Sequence, residues 1–129
     1  MRPCRTRASR GWVGTQRRAV IEAVHAALVE AIRIPEHDRT LRLIEHDPDD
    51  FSVPPGRGEK YTLIEITLFA GRSMTAKRAL YRAIVRNLGA VGVPAEDVKI
   101  ALIEVPAENW GVRGGHAASD IDLGFEVKV

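Results

Sequence analysis

A turn in the middle of the chain combines residue types that could bind an anion. Residues 61–69 have strand character, Gly71-Arg72-Ser73 follows, and a helical pattern begins at about Thr75. A helix N-terminus offers backbone N–H groups and the positive end of the helix dipole. The planar guanidinium of Arg72 adds a fork that matches a carboxylate or a phosphate. We therefore predict an anion site here with Arg72 as its first residue; the alternative is an ordinary surface arginine.

Other chemically capable groups give weaker patterns. The acidic loop at 45–50 matches no standard calcium loop, which favours a solvated loop over a metal site. The glycine-rich stretch at 111–115 lacks the strand and helix that flank a dinucleotide loop. Cys4 is the one cysteine and has no evident catalytic partners, while His25 is expected to pack on a helix face. We therefore predict neither a metal nor a cofactor.

Length and composition are those of a single globular domain. The chain has 129 residues, 45% apolar and 28% charged, and no apolar run reaches the ~20 residues of a transmembrane helix. The lone cysteine excludes an intrachain disulfide and fits a reducing compartment, so we predict a cytoplasmic protein without a membrane partner. Six arginines precede the first acid, Glu22, which indicates a solvated terminus or a basic surface for an anionic partner.

An RNA-binding, ferredoxin-like domain is an alternative for a basic chain of this size. Such a domain would expose aromatic side chains on its strands. Aromatic residues make up only 5% of this chain. We therefore predict no nucleic-acid partner.

Periodic patterns divide the chain into two strand–helix–strand units. Helical spacing predicts helices at about 15–33, with Thr15 as N-cap, and at about 75–90. Alternation predicts strands at 40–45, 61–69 and 99–105, and a terminal strand or hairpin at 120–129. The first unit covers about 1–46, a proline-rich linker about 47–60, the second unit about 61–105, and a C-terminal loop and strand 106–129.

The two units are an internal repeat with a shift of sixty residues. After a one-residue deletion, Pro35 and Asp38 of the first unit align with Pro94 and Asp97 of the second. A crossover helix between two strands implies parallel pairing. The predicted fold is therefore α+β: two fused β-α-β repeats, giving a four-stranded mixed sheet with two helices on one face. The other face is too apolar to remain wet, which favours a homo-oligomer.

Several segments together resemble the tautomerase superfamily of 4-oxalocrotonate tautomerase, macrophage migration inhibitory factor and malonate semialdehyde decarboxylase. These segments are the repeat itself, residues 34–39 (IPEHDR), 45–48 (EHDP), 66–73 (ITLFAGRS), 102–105 (LIEV) and 108–110 (ENW). The resemblance covers roughly residues 11–115 and is greatest to the decarboxylase-like branch. It implies a trimer that acts on a small carboxylate substrate.

The resemblance also implies roles for particular residues. An amino-terminal proline acts as general base in the family, which makes Pro3 the catalytic candidate. Arg72 matches a family arginine that holds the substrate carboxylate, and Asp38 matches an aspartate near the proline; the alternative for Asp38 is a turn residue. Trp110 and Arg113, in a loop that helps to wall the pocket, and Arg39 are candidates for substrate binding. The function implied is proton transfer, by keto–enol or double-bond isomerisation or hydration, on a small 2-oxo or enol carboxylic acid.

Two positions depart from the family pattern. A second family arginine is replaced by Ala70, which argues against decarboxylation of the same substrate. Residue 2 is arginine, and while Met1-Arg2 precede it the Pro3 nitrogen is an amide without useful basicity. Either these residues are removed, or the start is atypical, or the proline chemistry is lost. In the last case the alternative function is a non-catalytic binding or structural protein, and the polar first strand, PCRTRAS, agrees with it.

Overall fold

Two strand–helix–strand units account for most of the molecule. The computed structural model describes the backbone of residues 3–9 and all of residues 12–129. The first unit consists of β1 (Pro3–Ser9), α1 (Arg17–Ile32) and β2 (Thr40–His46). The second consists of β3 (Thr62–Phe69), α2 (Met74–Ala90) and β4 (Val98–Val105). A short hairpin, β5 (Gly111–Val112) and β6 (His116–Ala117), follows.

The four long strands form one mixed sheet in the order β2-β1-β3-β4. The strands within each unit are parallel, as expected for a crossover helix, and β1 and β3 are antiparallel in the centre. Pro3 lies beside Thr40 at the start of β2, and Phe69 lies beside Val105 at the end of β4. One end of the sheet therefore holds the first residues of β1 and β2 together with the last residues of β3 and β4.

Both helices cover the same face of this sheet. Alternate side chains of β3, namely Ile64, Ile66 and Leu68, are fully buried in a cluster with residues of α1 and α2. The intervening side chains of β3 from Leu63 to Thr67 are only half-buried. This is the period of two that a strand with one covered face requires. The predicted α+β class with two helices is confirmed.

The helices begin differently from the prediction. Helix α2 starts one residue early because Ser73 is its N-cap: its Oγ accepts a hydrogen bond from the Ala76 N–H at 3.1 Å. The prediction of Thr15 as the N-cap of α1 is wrong, since Thr15 lies within a 3₁₀ turn at Gly14–Gln16 that leads into the helix. Helix α1 ends at Arg33, which is left-handed with φ 58°.

The predicted terminal strand at 120–129 is wrong. In this range, all of which the structure describes, the chain forms no strand. Gly124 has φ 82° and interrupts the alternation, and the guanidinium of Arg113 takes the carbonyls of Asp122 and Leu123 that a sheet ladder would use. The segment instead runs to Val129, whose carbonyl accepts a bond from the Ser73 N–H at 2.9 Å.

No described helix is long and apolar enough to cross a bilayer.

Candidate functional site

Most of the predicted site residues lie at this one end of the sheet. Pro3 begins β1, Asp38 lies two residues before β2, and Arg72 lies three residues after β3. Trp110 and Arg113 follow β4. Because β1 and β2 start where β3 and β4 end, residues far apart in sequence come to one end of the molecule.

A cavity of about 240 Å³ lies at this end. The loop from α1 to β2, the β5 hairpin and the C-terminal segment provide its walls. Its polar side chains are His37, Asp38 and Arg113, and the apolar ones are Pro35, Val112, Leu123 and Phe125. A cavity with an apolar lining and a few polar groups is typical of a small-molecule site.

The loop that carries Asp38 is a tight turn. The Asp38 N–H donates to the Pro35 carbonyl at 3.0 Å, and the Arg39 N–H donates to the His37 carbonyl at 3.0 Å. Proline restricts its own φ, so Pro35 ends the extended exit from α1 and starts this turn. Asp38 is half-buried and faces the cavity. Asp38 therefore lies in a turn, which was the alternative interpretation of the sequence, and it also lines the cavity.

Arg72 is buried at the same end of the sheet. Its side chain is 6% exposed, and its Nη1 donates to the Phe69 carbonyl at 2.7 Å. Gly71, at φ 127°, allows the sharp exit from β3 that brings Arg72 back to this carbonyl. Arg72 is not among the described residues that line the cavity. Its bonded neighbour Phe69 has a ring centroid 6.3 Å from that of Phe125, which does line it.

Trp110 and Arg113 support the walls of the cavity. The Trp110 ring packs against Phe69 with centroids 4.7 Å apart, and its Nε1–H donates to the Val105 carbonyl at 3.0 Å. Arg113 lines the cavity while Nη1 and Nη2 donate to the Asp122 and Leu123 carbonyls at 2.8 and 3.1 Å. Trp110 thus packs behind the site, and Arg113 fixes the C-terminal wall.

Arg39 lies elsewhere than the resemblance implied. Its Nη2 donates to Glu22 Oε1 at 2.7 Å and its Nη1 to Oε2 at 3.4 Å. This bond lowers the pKa of Glu22 and raises the pKa of Arg39. The pair lies beside a shallow depression that Arg17 and Arg18 also line, not at the cavity. Arg39 therefore contacts α1 and lines this second depression, and its role in substrate binding stays a prediction.

The repeat counterpart of Asp38 has a different environment. Asp97 is 5% exposed, and its Oδ1 accepts a hydrogen bond from the Gly58 N–H in the linker at 3.1 Å. It lies directly before β4, at the opposite end of the sheet. Of the two equivalent turns, one faces the cavity and the other closes the linker.

Five residues that line the cavity were not among the predicted site residues: Pro35, His37, Val112, Leu123 and Phe125. His37 lies within IPEHDR, one of the segments that resemble the family, and this position could have marked it as a candidate. Leu123 and Phe125 were hidden in a segment interpreted as a strand. Among the described residues, no group of three His, Cys, Asp or Glu side chains is placed to hold a metal ion.

Comparison with known proteins gives a consistent family relationship. The sequence model of the family described as "Tautomerase enzyme" matches residues 38–113. The protein named Probable tautomerase YusQ, from Bacillus subtilis (strain 168), is 30% identical over 100 residues, which cover 73% of this chain and 79% of YusQ.

Solved structures agree with this relationship. FG41 malonate semialdehyde decarboxylase inhibited by 3-bromopropiolate is 35% identical, with a TM-score of 0.74, over 88% of this chain and 91% of that one. A fused 4-OT solved as a wild-type symmetric trimer is 26% identical, with a TM-score of 0.81, over 91% of this chain and 96% of that one.

Proposed function

This chain belongs to the tautomerase enzyme family, and from that premise we propose that it moves a proton on a small 2-oxo or enol carboxylic acid. The observation that carries the proposal is that Pro3, Asp38 and Arg72 lie at the same end of the sheet as the cavity. One cation and one carboxylate beside a secondary amine are the groups that such a proton transfer needs.

In the proposed reaction the nitrogen of Pro3 is the base. A neutral secondary amine accepts the enol O–H proton of the substrate, and the resulting ammonium returns a proton to the neighbouring carbon, so that the keto acid is released. The charge on oxygen grows as the proton leaves. Arg72, buried at the same end of the sheet, stabilises that charge and attracts the substrate carboxylate electrostatically, since a buried guanidinium acts in a low dielectric. Asp38 stabilises the ammonium form of the base.

This chemistry requires Pro3 to be the free end of the chain. We propose that the bond between Arg2 and Pro3 is cut in the active protein, because an amide nitrogen has no available lone pair. The same pocket supports hydration when water is the nucleophile. Decarboxylation is disfavoured because Ala70 stands where the decarboxylase branch has a second arginine.

We infer that copies of this chain assemble as a trimer, working in the cytoplasm without nucleic acid or membrane. The face of the sheet opposite the helices carries apolar side chains, with Ile103 47% exposed and Leu63 half-buried. An apolar sheet face of this kind favours a partner. The fused 4-OT relative supports three copies, and sedimentation or light scattering of the purified protein measures the number directly.

An enol-to-keto assay tests the function. Purified protein, Arg72→Ala and the exposed-arginine control Arg78→Ala are compared on phenylenolpyruvate and 2-hydroxymuconate. Loss of one oxyanion donor costs about 10²–10³ in kcat, so Arg72→Ala is expected to lose that much while Arg78→Ala stays within about twofold. Circular dichroism verifies that both variants fold. Equal rates in the parent and Arg72→Ala, or no activity in the parent, would refute the catalytic assignment of Arg72.

The second candidate function is a non-catalytic binding or structural protein with this fold. The observation that favours it is Arg2 immediately before Pro3. It predicts that purified chains retain Met1-Arg2 and turn over neither substrate. Intact mass measured beside the activity assay separates the two functions.

A further inference from the structure

Helix α1 directs two side chains, three residues apart, at the loop that walls the cavity. They are Glu22 and His25, which share a helix face because residues at i and i+3 are neighbours. Glu22 bonds to Arg39, and His25 bonds to the backbone of Glu36. The two bonded loop residues lie on either side of Asp38.

His25 makes the buried half of this arrangement. The side chain is 1% exposed, and its Nε2 lies 2.9 Å from the Glu36 carbonyl oxygen. A carbonyl oxygen only accepts, so Nε2 carries the hydrogen and donates it. Nδ1 is buried and has no hydrogen-bond partner among the described residues. Burying an imidazole among apolar side chains is unfavourable unless a bond of this kind compensates.

The bond fixes the middle of a short loop whose other positions line the cavity. Pro35, His37 and Asp38 contribute to the wall, while the carbonyl of Glu36 points the other way, into His25. A rotation of that peptide would turn the neighbouring side chains with it. The Glu22–Arg39 pair ties the side chain of the residue after Asp38 to the same helix.

We propose that Glu22 and His25 form a clamp that positions Asp38 and the cavity wall, with His25 as a positioning residue. The catalytic consequence of the clamp rests on the proposed function; its effect on the loop does not. His25 itself is enclosed in the helix layer and contacts no cavity surface.

The second repeat supports the inference by lacking the clamp. A shift of sixty residues aligns Glu22 with Arg82 and His25 with Val85. Its equivalent aspartate, Asp97, is held instead by the Gly58 N–H of the linker. The clamp is therefore specific to the unit that walls the cavity, whereas a packing residue of the fold would be expected in both.

Two substitutions at His25 separate its bond from its volume. His25→Gln keeps an N–H donor at nearly the same reach, and His25→Leu fills the space without a donor. Val24→Ala, at a fully buried neighbouring position on α1, is the control for general destabilisation. Hydrogen–deuterium exchange of the peptide spanning 33–39 reports the loop, and the enol-to-keto assay reports kcat and KM.

The expected result for His25→Leu is faster exchange at 33–39 and a fall in kcat of roughly tenfold or more, since small misplacements of catalytic groups are costly. His25→Gln restores both. Val24→Ala lowers the melting temperature while kcat stays within about twofold. In an Asp38→Asn background His25→Leu has little further effect on kcat, because both changes act through one group.

Three outcomes would overturn the clamp: parent-like exchange at 33–39 in His25→Leu, no recovery in His25→Gln, or losses of kcat that multiply independently with Asp38→Asn. If the parent protein turns over no substrate, the proposed function fails. The exchange of 33–39 in the Leu and Gln variants still decides whether the clamp exists.

Discussion

Replacing Asp97 with alanine is expected to lower the free energy of unfolding by about 1.5–3 kcal/mol, the range for a hydrogen bond to a charged group. The Asp97 carboxylate is 5% exposed and accepts the Gly58 N–H at 3.1 Å, which ties the linker to the start of β4. Asp97 lies at the end of the sheet opposite the cavity. Enol-to-keto activity is therefore expected to stay within about twofold of the parent.

Gly58 provides an independent way to disturb the same contact. A Cβ added at Gly58 would lie 2.9 Å from Asp97 Oδ2, closer than such atoms approach. Gly58→Ala must therefore push the carboxylate away from the amide and lose part of the same stabilisation. In the Asp97→Ala background this clash is absent, so the two substitutions together should cost less than the sum of their separate costs.

Urea unfolding of the parent, both single variants and the double variant measures these energies. Glu96→Ala removes an exposed carboxylate from the same turn and is expected to change the unfolding free energy by no more than about 0.5 kcal/mol. An Asp97→Ala variant as stable as Glu96→Ala, or strictly additive effects of Asp97 and Gly58, would refute this account of the linker contact.

Three further substitutions test individual contacts. Ser73→Ala removes the N-cap bond to the Ala76 N–H and should cost roughly 0.5–2 kcal/mol in thermal unfolding; an unchanged melting temperature would contradict this. Trp110→Phe keeps the packing against the sheet but loses the bond to the last carbonyl of β4, for an expected cost of about 1 kcal/mol by urea unfolding. The bond from Arg39 holds the pKa of Glu22 below its ordinary value of 4.5, so that bond stabilises the fold above this pH and its contribution disappears as the pH falls through the lowered pKa. The stability difference between parent and Glu22→Gln should accordingly be constant near neutral pH and shrink below pH 4.5; a difference that grows on acidification would contradict the sign.

The sequence predicted the two repeats and their helices because their patterns are local. Apolar spacing marks the buried faces of both helices, and alternation marks the covered face of β3. Helix starts are decided by single side chains, which is why Ser73 acts as a cap and Thr15 does not. The alternation of apolar and polar residues at 120–129 does not produce a strand, because Gly124 and the guanidinium of Arg113 prevent the hydrogen-bond ladder of a sheet there.

The candidate site was harder to predict because its residues come to one end of the sheet only through the register of the strands. Pro3, Asp38 and Arg72 are separated by more than thirty residues each, and nothing local shows that β1 starts where β3 ends. The same is true of Phe125 and His37, which both line the cavity although they are far apart in the sequence. Equivalent turns also look alike in sequence, although only Asp38 faces the cavity while Asp97 bonds to the linker.

The most direct test of the central claim is the mass of the chain in the fraction that catalyses enol-to-keto conversion. In the proposed reaction the base is a free secondary amine at Pro3, so the active fraction is expected to have the mass of a chain that begins at Pro3. An active fraction that retains Met1-Arg2 would contradict the claim.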